Sequence, residues 1–367
     1  MRVLVAAIGS RGDVAPAALV AAALAERGHA VTLCLDPGYH EGAPAASGLT
    51  RAPLGDLGAA ELAAVVSRAL AGRSPGERAG IFREAIFARR EGLLRGRIEA
   101  LATGGFDLLL LSEWLLFPAE GRLRWSTPTA VFCHVLARYR DLRALHGLPC
   151  LRLMALTPLL SPFSGPDIAA AWTFTGFWID RRARPLDDTI EAFLAAGPPP
   201  VFFTMGSMVG FDARALAAAA VSAARRSGRR AIVQRGWAGL EPPPAPDVLV
   251  VDEITYPALM PRCAALFIHG GTGTVAHAMM SGRPLGFLPC VNDQLDWVTG
   301  LEGVGNSVGA ADPFRADADE LGRLVSRAVG DPRHAQAAAV VAARLRGEDG
   351  VPAAIAALAA YVAGEPR

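Results

Sequence analysis

The chain begins the same supersecondary pattern twice. Val3-Leu4-Val5-Ala6-Ala7-Ile8 is an unbroken apolar run ending at Gly9, and Val201-Phe202-Phe203-Thr204-Met205 is a second one ending at Gly206. A strand that is apolar at every position is covered on both faces, as in a parallel sheet flanked by helices. After the first run, residues 16–27 are Ala- and Leu-rich and stop at Gly28, which predicts a helix, and residues 30–35 predict the next strand. Helical patterning follows over 55–100, with strands expected at 106–111 and 129–133. After the second run the pattern restarts: a helix over 212–226, strands at 231–234, 248–251, 266–268 and 285–288, and a helix over 274–281. Residues 241–247 are Pro-rich and predict a loop. Two rounds of β-α alternation predict an α/β fold of two Rossmann-like domains, with a linker around 181–200. At 367 residues, 52% of them hydrophobic, the chain is long enough for two cores.

Composition removes several kinds of chemistry. All 36 basic residues are Arg, so a Walker-type phosphate loop and lysine Schiff-base chemistry are both excluded. A formal net charge of +1 asks for neither nucleic acid nor an acidic membrane surface as partner. The five cysteines, Cys34, Cys133, Cys150, Cys263 and Cys290, are odd in number and form no CxxC pair. Free buried thiols in a reducing cytoplasm are expected, without a zinc site. The apolar run at the N-terminus is too short for a signal peptide, and no stretch approaches the roughly 20 apolar residues of a membrane helix. The expected location is the cytoplasm.

The segment Phe267-Ile268-His269-Gly270-Gly271-Thr272-Gly273-Thr274 carries the clearest chemistry. A strand runs into a glycine-rich turn that opens a helix, which aims free N–H groups and the positive helix end at one point. Thr272, Thr274 and His269 add side-chain donors, and a phosphate or diphosphate is the natural ligand; a plain β-α turn is the other reading. Pro289-Cys290-Val291-Asn292-Asp293-Gln294 also follows a strand, so Asp293 and Gln294 can reach sugar hydroxyls, or Asp293 can serve as a helix cap. Asp13, just after the first strand, is placed either to cap the following helix or to take a proton.

From 251 to 309 the chain resembles the donor-binding signature of the inverting, family-1 (UDP-glycosyltransferase-like) GT-B glycosyltransferases. The matching pieces are HGGTGT (269–274), SGRPLGFLP (281–289), NDQLDW (292–297) and GVGNSVG (303–309). The segments around Thr204-Met205-Gly206-Ser207 and Gln234-Arg235-Gly236-Trp237 are similar to that family's C-terminal domain. At the other end, AIGSRGDVAP (7–16) and ERGHAVTLC (26–34) resemble its bacterial natural-product and rhamnosyltransferase-like branch. The resemblance implies two Rossmann-like domains facing each other across a cleft: an acceptor domain over 1–185, a donor domain over 186–350, and a C-terminal helix over 351–367 returning to the first domain. It implies an inverting transferase that moves a sugar from a dTDP- or UDP-sugar to a hydroxyl of a small metabolite, as monomer or homodimer. His269, Gly271, Thr272, Gly273, Thr274, Ser207 and Ser10 would hold the diphosphate, and Asp293 and Gln294 the donor sugar. Arg235, Trp237 and Ile254 would meet the nucleobase, and Asp13 would be the general base. The chain departs from the pattern at Ile268, where a first histidine is common, and at Tyr256-Pro257, where a glutamine is common.

Glu113 and His134 each follow a predicted strand, and each reads either as an acceptor-site residue or as an ordinary loop residue. Trp172, Phe174 and Trp178 are expected to pack near the linker. Metal-using transferases hold Mg²⁺ on an Asp-x-Asp loop; Asp187-Asp188 and Asp317/Asp319 instead look like solvated surface, so a metal-independent reaction with no cofactor is expected. Three other functions are weighed. A nucleotide-sugar epimerase of GT-B fold would need no acceptor. A non-catalytic accessory protein to a glycosyltransferase would have lost its site residues. A redox dinucleotide enzyme would need GxGxxG, whereas the first turn reads Gly9-Ser10-Arg11-Gly12-Asp13.

Overall fold

The computed structural model describes residues 1–40, 44–58, 91–116, 125–136 and 140–365, with position 123 and single positions between 60 and 84. The chain divides into two compact units. One comprises Met1–Leu62, Arg83–Asp180 and Glu348–Arg367, the other Ala63–Phe82 and Arg181–Gly347. Among the described residues no helix is long and apolar enough to cross a membrane.

The first unit is built on β1 (Arg2–Ala6), β2 (Ala30–Leu35), β3 (Leu49–Pro53), β4 (Leu108–Ser112), β5 (Thr129–Cys133), β6 (Leu151–Met154) and β7 (Thr173–Phe174). They form one parallel sheet in the order β3-β2-β1-β4-β5-β6-β7. Val3 to Ala6 and Leu108 to Leu111 are completely buried, which is why these strands read as continuous apolar runs. Helices α1 (Arg11–Glu26), α2 (Glu91–Ala102) and α3 (Pro166–Ala171) belong to this unit. So does the last helix of the chain, α11 (Gly350–Ala363), which packs against α1. Trp178 lies in the core of this unit, its ring 5.1 Å from that of Phe132 and its Nε1–H donating to Thr175 Oγ1 at 2.8 Å.

The second unit holds β8 (Val201–Thr204), β9 (Ala231–Gln234), β10 (Val248–Val251), β11 (Ala265–Ile268), β12 (Leu285–Phe287) and β13 (Ser307–Ala310). They are parallel throughout, in the order β10-β9-β8-β11-β12-β13. Its helices are α4 (Asp188–Ala195), α5 (Ala213–Arg226), α6 (Tyr256–Leu259), α7 (Thr272–Ser281), α8 (Asn292–Gly303), α9 (Ala318–Gly330) and α10 (Pro332–Leu345). Phe203 and Phe267 stack at 5.4 Å beneath α5 and α9, whose Leu216, Val221, Leu321 and Val325 fill the same core. In both sheets the strand order reverses beside the first strand, between β1 and β4 and between β8 and β11. The carboxyl edge at such a reversal is where open α/β sheets bind ligands.

Four details differ from the sequence reading. The first helix begins at Arg11 rather than at 16, because Ser10 and Asp13 cap it; Asp13 therefore stands inside the helix and not before it. The expected linker contains α4, started by the Asp187 carboxylate accepting the Ile190 N–H at 2.8 Å. Residues 63–82, expected with the first domain, group with the second unit, where the Arg78 guanidinium lies 3.4 Å from the centre of the Phe314 ring. The boundary expected at 185 falls at 180. Much of the helical patterning read over 55–100 lies outside the described residues; α2 is the longest described part of it.

Gly350 is where α11 meets the chain before it. A Cβ there would sit 2.5 Å from the Gly176 carbonyl oxygen and would overlap that of Phe177 as well, both rigid backbone. Gly350→Ala is therefore expected to destabilise the first unit by about 1–3 kcal/mol, read as a lower melting temperature. An unchanged melting curve would show that α11 does not depend on this close approach.

Candidate functional site

At the carboxyl edge of the second sheet, β11 runs through His269 and Gly270 into α7. The residue that caps α7 is Gly271, which has no side chain with which to bond the helix. By contrast α4, α5, α9 and α10 are each capped by an aspartate, Asp187, Asp212, Asp317 and Asp331. The Val275 N–H bonds back to the Gly271 carbonyl at 2.9 Å, so the N–H groups of Thr272, Gly273 and Thr274 are those the helix itself cannot use. An anion is the natural partner for three such groups at a positive helix end.

His269 stands beside them. Its ring is 6% exposed, and Nδ1 has no hydrogen-bond partner. Burial pushes its pKa down to about 4, against an opposing pull from the Thr204 carbonyl, so the imidazole is neutral at pH 7 and offers one N–H and one lone pair. The ring is pressed between two backbone segments. A Cβ on Gly206 would come within 2.6 Å of it, and one on Gly271 would overlap it.

The neighbouring loops are tied to this turn. The Gly206 N–H donates to Thr204 Oγ1 at 3.1 Å, and Thr204 Oγ1 donates to Gln234 Oε1 at 2.6 Å. The Tyr256 hydroxyl donates to the same Gln234 oxygen at 2.9 Å. The Trp237 N–H reaches the Gly206 carbonyl at 3.0 Å. This fixes the turn carrying Ser207, which is half-buried, and places Trp237 beside it with 39% of its surface exposed. Arg235, expected near the nucleobase, is held by Glu241 at 2.9 Å and Asp252 at 3.1 Å. Trp237 is therefore the available flat surface of that pair, and Ile254 is half-buried nearby in sequence.

Gln294 does not take the position expected for a sugar contact. It is buried, its Oε1 accepting the N–H groups of Cys290 at 2.7 Å and Val291 at 3.3 Å while its amide donates to Met208 Sδ at 3.3 Å. Its backbone and Cβ also press against Gly270. Gln294 thus starts α8 and supports the phosphate-type turn from behind, whereas Asp293 lies in the first turn of α8.

The carboxyl edge of the first sheet gathers a different set. Asp13 reaches back along α1 so that the Ser10 N–H (2.5 Å) and Ser10 Oγ–H (2.7 Å) both donate to its Oδ2. Gly9 permits this, because a Cβ there would lie 2.5 Å from that oxygen. Ser10, expected to approach the diphosphate, thus spends its hydroxyl proton on Asp13. Across the reversal of strand order, His134 Nε2 lies 3.1 Å from Asp13 Oδ1, a contact between residues 121 apart in the chain. An ionised carboxylate can only accept, so Nε2 carries the proton of this bond. Burial acts to raise the pKa of Asp13, but the bonds and charge of His134 together with the two Ser10 bonds outweigh it and hold the carboxyl below its usual range.

Glu113 opens the 3-10 turn that follows β4, between the Asp13 and His134 segments. It is 2% exposed, and neither carboxyl oxygen has a hydrogen-bond partner. Burial first, opposed by His134 and reinforced by Asp13, pushes its pKa up to about 7. Sequence reasoning named Asp13, Glu113 and His134 separately; the structure brings them to one edge. It gave no role to Gly9, Thr204 or Gln234, although Thr204 and Gln234 open segments similar to the family's C-terminal domain and Gly9 stands beside the Ser10-x-x-Asp13 spacing of a capping box.

Residues 3–105 match the family model described as the glycosyltransferase family 28 N-terminal domain. The chain is 37% identical over 188 residues to the vancomycin aglycone glucosyltransferase of Amycolatopsis orientalis, a match covering 51% of this chain and only 45% of that protein. It is 32% identical over 323 residues to the dTDP-epi-vancosaminyltransferase of the same organism, covering 77% of this chain and 78% of that one. Among solved structures, the calicheamicin glycosyltransferase CalG4 superposes with a TM-score of 0.70 at 16% identity, covering 99% of this chain and 98% of its own. The glycosyltransferase SnogD of Streptomyces nogalater gives a TM-score of 0.70 at 21% identity, covering 98% and 99%. These structures share the fold.

The raised pKa of Glu113 makes its contribution to stability fall as pH rises. Below about pH 4.5 the folded and unfolded chains both hold this proton. Between there and about pH 7 only the folded chain does, so stability is lost across that window by on the order of 1–3 kcal/mol. Glu113→Gln carries no such titration. Its melting temperature relative to the unsubstituted chain is expected to be more favourable at about pH 8 than at about pH 5, and an identical difference at both would contradict the assignment.

Proposed function

The chain belongs to the GT-B glycosyltransferases of the bacterial natural-product branch, and from that premise we propose that it moves a sugar from a dTDP- or UDP-sugar to a hydroxyl of a small metabolite, with inversion. The observation that carries the reading is the glycine-capped start of α7 with neutral His269 beside it. In this reading the nucleotide's two phosphates take the N–H groups of Thr272, Gly273 and Thr274 and the two threonine hydroxyls, with the neutral His269 ring packed beside them. Ser207 approaches the same phosphates, Trp237 offers its ring face to the base, and Asp293 meets the donor sugar. The acceptor oxygen attacks the anomeric carbon as the bond to the diphosphate breaks. Its proton passes to Asp13, which is ionised at pH 7 because its pKa is lowered. A single displacement inverts the anomeric centre. The departing diphosphate gains its charge against donors already in place, which requires no metal. The reaction belongs to the cytoplasm, where activated sugars are made.

The paired Asp13 and His134 favour a working transferase over an accessory protein, since a decayed site has no reason to keep a carboxylate held at both oxygens. Two measurements test the reading. UDP or dTDP should raise the melting temperature of the native chain and fail to do so for His269→Ala. Asp13→Asn should lower kcat by about 10²–10⁴ while keeping the nucleotide response. A chain that no nucleotide stabilises, or an Asp13→Asn variant with full turnover, would remove the proposal.

A further inference from the structure

The two carboxyl groups at the edge of the first sheet have opposite surroundings. Asp13 accepts three hydrogen bonds, two on Oδ2 from Ser10 and one on Oδ1 from His134. Of the roughly four lone-pair positions of a carboxylate, one is left, on Oδ1, for an acceptor hydroxyl. A carboxylate so well supplied with donors is fixed in direction but weak as a base, because each donor stabilises the ionised form. Glu113 is buried with both oxygens unpartnered. A polar group left so is a burden on folding that an apolar side chain of similar size would not carry. Its place, at the end of the strand between those leading to Asp13 and His134, is the place from which a charge acts on both.

We propose that Glu113 is a positioning residue for the Asp13–His134 pair, setting the base strength of Asp13 by holding or releasing a proton beside it; this rests on the sugar-transfer reading of the site. With Glu113 neutral, Asp13 carries the one negative charge of the three side chains, and three donors keep its proton affinity low. When Glu113 gives its proton to solvent, a second negative charge stands beside the pair, and the proton affinity of Asp13 and His134 rises. Asp13 then accepts the acceptor's proton more readily as the glycosidic bond forms. Because the groups interact, the proton belongs to the cluster rather than to Glu113 alone. The groups acting on Glu113 are Asp13 from α1, His134 after β5, and the Cys133 thiol at the end of β5. Tyr39 lies near Asp13. Helix α2, packed against the Glu113 turn, carries Arg95, Arg97 and Glu99, of which Arg97 is directed to the Leu54 carbonyl at 3.2 Å.

The test compares the unsubstituted chain with Glu113→Gln and Glu113→Asp. In the unsubstituted chain kcat/KM should rise by about 3–10-fold through neutral pH, the response expected for a base strengthened by about one pKa unit. Glu113→Gln should stay at the low level at every pH with both KM values unchanged, and Glu113→Asp should restore part of the rise. A Glu113→Gln variant with the original profile overturns the proposal, as does one altered only in KM. The second readout needs no turnover. The His134 ring resonance, identified by its loss in His134→Gln, should titrate at a lower pH in Glu113→Gln than in the unsubstituted chain; equal midpoints overturn the proposal. If Glu113→Gln does not fold, Glu113→Leu, close in size and without a titrating group, takes its place in both measurements. A shifted midpoint in a chain that transfers no sugar sustains the coupling and rejects the transferase reading, whereas turnover with equal midpoints does the reverse.

Discussion

A helix that starts on glycine leaves its first N–H groups for something other than its own chain to accept. Gly271 does this for α7, in a unit whose other caps include four aspartates. Exchanging a good cap for glycine costs only a few tenths of a kcal/mol. It also removes a carboxylate that would repel an anion at the same point. The surroundings follow from keeping that mouth open and rigid. Gly206 and Gly271 leave room for the His269 ring, Gly236 lies where a Cβ would come within 2.6 Å of the Gly206 carbonyl oxygen, and Gln294 holds the start of α8 against Gly270. The glycine richness of the segment is thus a packing condition around one imidazole as much as a way of bringing backbone close to phosphate.

The two units repeat one topology and use it for opposite chemistry. In each, the first strand's loop faces the fourth strand's loop at the reversal of strand order. In the second unit that edge presents donors: helix N–H groups, two threonines and a neutral histidine. In the first it presents carboxyl groups, Asp13 and Glu113, with His134 bonded to Asp13. The difference comes from a few residues after the two strands that flank the reversal. After the first strand of each sheet the helix is closed by a carboxylate, Asp13 with Ser10 on α1 and Asp212 on α5. The open helix end belongs to α7, which follows the fourth strand of the second unit and starts on glycine. In the proposed transfer, a departing diphosphate that becomes more negative and a hydroxyl that must lose a proton would need these two environments.

What the sequence disclosed depended on whether the signal was local. Runs such as 30–35, 129–133 and 231–234 were legible to the residue because strands covered on both faces are mostly apolar. Strand β3 was not, since Leu49–Pro53 is an edge strand with polar and exposed positions, and β7 has only two residues. The α4 helix hid in the linker because eight residues with buried Ile190 and Leu194 show little periodicity. At the site, residue types pointed to His269 and the following turn, where the structure has the glycine-capped start of α7. The commitments of Ser10 and Gln294 could not be read that way. Each depends on which way a side chain turns once neighbouring loops are in place, and a glutamine that caps backbone looks in sequence like one that meets sugar.

The pairing of Asp13 with His134 shows why such contacts are invisible before folding. Parallel neighbours are joined by long crossovers, so residues that meet at a sheet edge are far apart in the chain. Asp13, Glu113 and His134 come from the ends of β1, β4 and β5, consecutive strands of the sheet though not of the sequence. Once they are together, their roles divide by partners rather than by residue type. The carboxyl with three donors is ionised and oriented; the carboxyl with none keeps its proton until near neutrality. Two acids of nearly equal intrinsic strength are thereby driven apart in proton affinity, and that separation is what the proposed division between a base and a residue acting on it would require.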